Sequence, residues 1–531
     1  MEVHRIPYAD TDRFSPLVLG HLAGDRRVAP LRHRDPDLPG LIAAARDREF
    51  DPHTRQVLRS VLEKQYAGVA MHDAVRSNLT ALGKQGTLTI TTGHQLCLFT
   101  GPFFFPLKVI NAVAMAARLQ RELKGTPVVP VFWMATEDHD RAEIDHAWIN
   151  GKKVEWPGQA EGAVGRLKLS GIEEVIAKAG ELLGAGTNAD RLRELLKECY
   201  KPEFTLAHAT RHFVNALFGR SGVICLDADD PQLKRLFLPI MRKELMERFS
   251  EKAVEEANSR IAEDFKVQAH AREINLFYLA ENDRARIIDH GGKAVPENDQ
   301  RSSIDLLDEL EEHPERFSPN VLLRPLYQET ILPNVAYIGG GGELAYWLQL
   351  KPLFDRSAIP MPVLLLRTSV ALLPQKEFRR MQDLGLSIKD LFLPVEELRG
   401  RIAREKAGFR TDMEQERSEL NVLFEELRSR AASIDATLER SAGSAAHLAN
   451  KGLDHLEKRF VRAAKAHTEK ELVRLQMILD VLFPAGGMQE RRENFMTFYV
   501  RYGDEFFDLL LEHLDPLDRN FTVLIEDPID Q

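Results

Sequence analysis

Cysteine is scarce in this chain: Cys97, Cys199 and Cys225 are the only three in 531 residues, and no two lie at a close metal-ligand spacing. That excludes a disulfide scaffold and fits a reducing compartment. Basic charge is also short, with 71 Lys and Arg against 81 Asp and Glu, a net charge of −10 and a pI near 6.0. A nucleic-acid or anionic-membrane binder carries a basic face, so both partners are argued against. No apolar run reaches the roughly 18 residues that a membrane span requires. The opening MEVHRIPYADTDRF is polar and has no apolar signal-peptide core. The expectation is a soluble cytoplasmic protein. At 44% hydrophobic and 29% charged residues it has material for ordinary globular cores, and its length predicts two to four domains.

What is abundant is local. Val128–Asp145, VVPVFWMATEDHDRAEID, begins as an almost uninterrupted run of β-formers and ends in Glu137, Asp138, His139 and Asp140. The run reads as a strand buried on both faces of a parallel sheet. Ligands of open α/β sheets bind just past the carboxyl ends of such strands. Upstream, TLTITT at 87–92 is a short β run, and FFFPLKVINAVAMAARLQREL is helical with a broad apolar face. Strand, glycine turn, helix, turn and strand make a βαβ unit. Further strands are expected at 221–227 (SGVICLD), 334–338 and 362–367 (PVLLLR), and the long gaps at about 140–220 and 240–330 predict insertions into a doubly wound sheet. Residues 1–85 read as polar helix.

Between 374 and 483 glycine and proline almost vanish. Ile402, Phe409, Met413, Leu420, Leu423, Leu427, Ile434 and Leu438 recur at helical spacings, and Leu453, Leu456, Phe460, Ala463, Leu472, Leu475, Ile478 and Leu482 resume the pattern. Two long helices folded back as an antiparallel coiled coil fit this, with the break at SAGSAAHLANKG. Such an arm either packs structurally or serves dimerisation, as a homodimer, or docking. The last segment, 484–531, reads as a turn, an amphipathic helix and a final strand in FTVLIED.

Three patches carry candidate chemistry. In the first, Gly93, His94, Gln95, Thr100, Gly101 and Pro102 precede a helix whose free N–H groups and Lys108 suit an anion; the bland alternative is a tight βα turn. In the second, Glu137, Asp138, His139 and Asp140 are candidate catalytic groups that suit a general base or an amine. Their spacing matches no strong zinc pattern, so no dedicated metal site is expected, and one of the carboxylates can equally cap a short helix from Arg141. The third is NVAYIGGGGELAYWLQLK, where Asn334, Tyr337, Gly339, Gly340, Gly341, Gly342, Glu343, Tyr346 and Trp347 form a second backbone cradle with aromatic faces, although the aromatic pair can also be core. It is neither a P-loop nor a dinucleotide fingerprint. Arg324 and Arg367 supply cations at sheet ends. Together the patches predict a nucleotide- or sugar-type site at a topological switch point.

TGHQ-x5-TGP, PVFWMATEDHD-x-x-EID, SPNVLLRPLYQE-x-x-LPNVAYIGGGGELAYW-x-QLKP-x-F and PAGGMQER resemble the BshC family, the cysteine-adding enzymes of bacillithiol biosynthesis, along most of the chain. The resemblance implies a Rossmann-like core in 1–373 with connecting subdomains inserted at about 141–220 and 240–330. It also implies an α-helical coiled-coil domain in 374–483 and a segment, 484–531, packing back on the core. The implied activity is a ligase that adds cysteine to the amine of glucosaminyl malate. The expected route is ATP-dependent, with Mg2+ as a companion ion. Class I aminoacyl-tRNA synthetases place a HIGH motif where Gly93-His94-Gln95 stands, but neither HIGH nor KMSKS is present here, so ATP enters by analogy. Since the family accepts Gln in place of His94, His94 reads as a ligand hydrogen-bonder rather than a base. The rivals are a nucleotidylyltransferase on the same fold and a sugar- or nucleotide-binding assembly protein that needs a partner.

Overall fold

The computed structural model describes residues 1–158, 162–280, 283–299 and 304–527. In chain order the strands are β1 (Glu2–Pro7), β2 (Leu88–His94), β3 (Val128–Met134), β4 (His146–Ile149), β5 (Lys152–Glu155), β6 (Ile224–Asp227), β7 (Leu276–Ala280), β8 (Asp283–His290), β9 (Lys293–Pro296), β10 (Phe317–Pro319), β11 (Asn334–Gly339), β12 (Val363–Leu366), β13 (Val370–Leu373) and β14 (Asn520–Ile525).

The central sheet runs β12-β11-β2-β3-β6, and every neighbouring pair is parallel. The chain starts this sheet in its middle, winds out through β3 to β6, then returns to lay β11 and β12 on the other side. The reversal falls between β2 and β11, and there the connections leave the carboxyl ends in opposite directions and open a crevice. All seven residues of β3 are buried, which explains its nearly continuous apolar composition. Pro130 is tolerated inside it because β6 begins opposite Val131, leaving β3 a single neighbour at the proline.

Besides the short pair β4-β5, two other sheets complete the fold, and of their strands only β14 is expected from the sequence. The antiparallel sheet β10-β7-β8-β9 lies in the long gap before β11. A three-stranded sheet, β1-β14-β13, joins the two ends of the described chain, with Glu2 opposite Ile525 and β13 parallel to β14. The first eighty-five residues therefore open on a strand before becoming helical.

The arm consists of the helices Glu414–Ile434 and Ala436–His467, which pack side by side. The chain reverses at Asp435, not within SAGSAAHLANKG, which lies inside the second helix. Asp435 is extended (ψ 135°) and its carboxylate accepts from Thr437 N at 2.6 Å, so a single N-cap sets the break. Half-buried Leu420, Phe424, Leu427 and Leu453 supply apolar contact area, and polar pairs flank it: Arg417 pairs with Asp454 at 2.8 Å, and Asn450 donates to Asn421 at 3.1 Å. Among the described residues, no helix is long and apolar enough to cross a membrane.

The segment after the arm returns to the core. Gln489 exchanges hydrogen bonds with the Leu372 backbone (2.8 and 2.9 Å), and Glu490 accepts from Val370 N at 2.8 Å. Two short helices follow, Met496–Tyr502 and Glu505–His513, separated at Gly503, whose φ of +62° suits glycine.

Candidate active site

A cleft of about 680 Å3 opens at the carboxyl ends of β2, β3, β11 and β12. One wall is built around an ion pair between a buried lysine and a partly exposed carboxylate. Lys108, in the second turn of the helix Phe104–Glu122, donates to the Gly93 carbonyl at 2.8 Å and pairs with Glu343 at 2.5 Å. Glu343 also accepts from Tyr337 Oη (2.9 Å) and from Gly340 N (2.7 Å), which caps the helix Gly341–Leu348. Burial pushes the Glu343 pKa up, but Lys108 and these donors outweigh it and hold the carboxyl below its ordinary value. Burial likewise lowers the Lys108 pKa against the pull of Glu343. Gly93 is favoured by proximity, since a Cβ there would stand 3.1 Å from Tyr337 Oη and push it aside.

The four glycines do different things. All have negative φ. Gly340 and Gly342 line the cleft, and a Cβ on Gly342 would meet nothing within 4 Å. Gly339 lies under Leu344, which a Cβ would approach to 2.8 Å, and Gly341 faces Phe14. Arg324 lies 5.6 to 5.8 Å from the ring centroids of Trp133, Tyr337 and Trp347. Arg367 pairs with Glu490 at 2.7 Å and lies over Phe104. Tyr346 lines the cleft, whereas Trp347 is fully buried, stacked on Tyr337 at 4.3 Å, and belongs to the core.

The acidic cluster divides. Glu137 is buried against Lys234, whose ammonium also donates to the Phe317 carbonyl; burial pushes the Glu137 pKa up and Lys234 opposes it. Asp138 lines the cleft, accepts from Gln95 at 2.8 Å and ties its own turn through His139 N at 2.7 Å. His139 is half exposed and takes a hydrogen bond from Arg284 at 2.9 Å. Asp140 does not line the cleft; it N-caps the helix Arg141–Ile144 through Glu143 N (3.3 Å). Glu143 itself faces the cleft and meets Gln95.

His94 lines the cleft between Phe104 and Phe105, and its Nε2 finds no hydrogen-bond partner among the described residues. Burial, with Lys108 nearby, pushes its pKa down to about 3, so the imidazole is neutral. Thr100, Gly101 and Pro102 stand behind this wall. Phe99, Thr100 and Gly101 are consecutively left-handed (φ 51°, 69° and 70°). Asn494 secures this turn by donating to the carbonyls of Phe99 (3.0 Å) and Gly101 (2.6 Å). Asn334 lies at the amino end of β11, away from the cleft, where its Oδ1 accepts from Thr89 and Thr91 and its Nδ2 donates to Glu329.

Sequence reasoning missed Arg284, Phe277, Arg272 and Asn320 from the inserted region and Arg491 from the returning segment, all in the cleft lining. Glu143 and Arg491 fall inside the motifs EDHD-x-x-EID and PAGGMQER, which mark them in the sequence. Nothing local marks Arg284. Among the described residues, no group of three or more His, Cys, Asp or Glu side chains is placed to hold a metal.

Residues 1–368 match the family model for the N-terminal Rossmann-like domain of bacillithiol biosynthesis BshC, and residues 370–526 match that for its C-terminal coiled-coil domain. The chain belongs to the BshC family. It is 40% identical over 523 residues to a protein of Flavobacterium johnsoniae named "Putative cysteine ligase BshC", covering 98% of this chain and 99% of the relative. Proteins of the same name from Christiangramia forsetii and Bacillus cereus are 38% and 28% identical, covering 99% of both chains and 88% and 89%, respectively. The family's Rossmann-like core is here the parallel sheet that carries the cleft, and the arm belongs to its coiled-coil domain.

Proposed function

We propose that this chain is a cytoplasmic ligase of bacillithiol biosynthesis that joins the carboxyl of cysteine to the amine of glucosaminyl malate, driven by ATP. One observation carries the reading: a single cleft sets the carboxylates of Asp138 and Glu143 beside a glycine-lined wall with a buried lysine. An ammonium group needs the first and an anionic, phosphate-like group needs the second.

ATP converts an unreactive carboxylate into an acyl group with a phosphate leaving group. The residues fit a phosphate: the backbone at Gly342 is open on the cleft side, Arg367 Nε lies beside Gly340, the helix Gly341–Leu348 starts there, and Lys108 uses only two of its three N–H donors in the fold. Mg2+ would enter on those phosphates. Asp138 and Glu143 would hold the acceptor amine and take up the proton it loses as nitrogen bonds to the acyl carbon. His94, neutral and unpartnered at Nε2, would hydrogen-bond a ligand. The exposed apolar side chains of the arm, Ile434 (70%) and Leu448 (68%) among them, support a homodimer formed there.

The test is to incubate the pure protein with cysteine, ATP and glucosaminyl malate and follow the amide product by mass spectrometry. No product, with or without Mg2+, refutes the ligase reading; pyrophosphate release with a stable nucleotidyl product replaces it with a nucleotidylyltransferase. Asp138→Ala is expected to lower kcat/KM by about a hundredfold or more. A folded and fully active variant removes Asp138 from the chemistry.

A further inference from the structure

The wall contributed by the inserted sheet holds a cation that the fold does not consume. Arg284 on β8 lies over the ring of Phe277 on β7, with Cζ 3.9 Å from the centroid. Its Nη2 donates to Ser318 Oγ at 3.0 Å and to the Pro319 carbonyl at 3.2 Å, both on β10. Nη1 donates to His139 Nδ1 at 2.9 Å. Three of five N–H donors are thus engaged, and the buried Nε finds no partner among the described residues. Glu137, Asp138 and Asp229 act on this guanidinium through space, but among the described residues its hydrogen bonds go to neutral groups. A fixed, planar cation without a carboxylate, facing a cleft, is built to receive one.

Its position says whose carboxylate. The same His139 Nδ1 that accepts from Arg284 lies 3.7 Å from Asp138 Oδ1. One imidazole therefore stands between the group suited to an amine and the group suited to an anion. The phosphate-like wall has its own network of Lys108, Glu343, Tyr337 and Gly340, in which neither Arg284 nor His139 takes part. We propose that Arg284 is a specificity-determining residue for the acceptor: it binds a carboxylate of the amino sugar whose amine lies at Asp138. This inference rests on the ligase reading and adds the residue that selects an acidic acceptor over a neutral one. With Nδ1 accepting from Arg284, His139 carries its proton on Nε2 and offers that N–H to the same ligand.

The experiment is calorimetric binding of two acceptors, glucosaminyl malate and methyl glucosaminide, which lacks the carboxylates, to the full-length protein and to Arg284→Gln. The expected result is a loss of about tenfold to a hundredfold in affinity for glucosaminyl malate and less than about twofold for the glycoside. Equal weakening of both ligands, or no change in either, overturns the assignment. If Arg284→Gln does not fold, Arg284→Lys carries the comparison: it keeps the charge but loses the planar fork, and selectivity is expected to fall while glycoside binding holds. Wild-type protein that binds neither acceptor sinks the ligase reading and this inference with it. Wild-type protein that discriminates, with a variant that discriminates equally, sinks this inference alone.

Discussion

Acid should destabilise this protein in part through His94, and substituting that one residue isolates the effect. Burial beside Phe104 and Phe105, with Lys108 nearby, lowers its pKa from 6.5 to about 3. The unfolded chain accepts a proton near the ordinary value and the folded chain refuses it. The stabilisation from keeping His94 neutral is therefore complete above about pH 6.5 and declines as pH falls, by up to about 1.4 kcal/mol per pH unit, until the folded value is reached. Between about pH 8 and pH 5 the loss is RT times the logarithm of one plus ten to the 1.5, or about 2 kcal/mol. At pH 5 the folded imidazole is still neutral, so the ordinary value of histidine sets this size. His94→Gln keeps a polar side chain of similar volume and does not titrate. Urea unfolding at the two pH values, read by the fluorescence of Trp133 and Trp347, should show the wild type losing about 2 kcal/mol more than the variant. His21, also buried and lowered to about 4, remains in both proteins and cancels in the comparison. The same pH dependence in both proteins would refute the burial argument; a more acid-labile variant would reverse it.

Two other outcomes follow from the returning segment and the arm. Glu490→Gln leaves Arg367 without its charge partner at a site where both side chains are at most 3% exposed. It should cost about 3 kcal/mol in urea unfolding, and Arg367→Met with Glu490→Leu should recover only part of it, because Val370 N then loses its acceptor; a single substitution costing under about 1 kcal/mol would show that the pair does not hold the segment. If the arm joins two copies, Leu448→Asp with Phe460→Asp should reduce the mass seen in sedimentation from twice 60.2 kDa to 60.2 kDa without lowering the core's unfolding midpoint; an unchanged mass assigns the arm to another role.

The parts of the fold that declared themselves in the sequence are those coded locally. β3 is a run of β-formers that ends in charge, and the helix Phe104–Glu122 repeats its apolar residues along one face. The inserted sheet does not declare itself because β9 and β10 are four and three residues long, too short for an alternation to register. Asn334 and Gly340 belong to one motif, yet a strand has two ends. The five steps from Asn334 to Gly339 carry the chain about 17 Å, from a structural asparagine to the cleft. Asp140 was indistinguishable from Asp138 by type, and only the short helix after it separates a cap from a cleft carboxylate. Arg284, Glu490 and Asn494 escape a local reading because their partners lie 145, 123 and nearly 400 residues away.

The pairing of β1 with β14 has a consequence for biosynthesis. Strand β1 finds its partner only after more than 500 further residues have been made. At about 5 to 20 residues per second that is roughly half a minute or longer. During that wait Arg367 lacks Glu490, and the left-handed turn at Phe99–Gly101 lacks Asn494. The parallel sheet can form early, but the cleft it carries is finished late. A nascent chain of this design is a half-built vessel with an unguarded sheet edge, and a chaperone or rapid synthesis would matter more to it than to a protein whose ends fold separately.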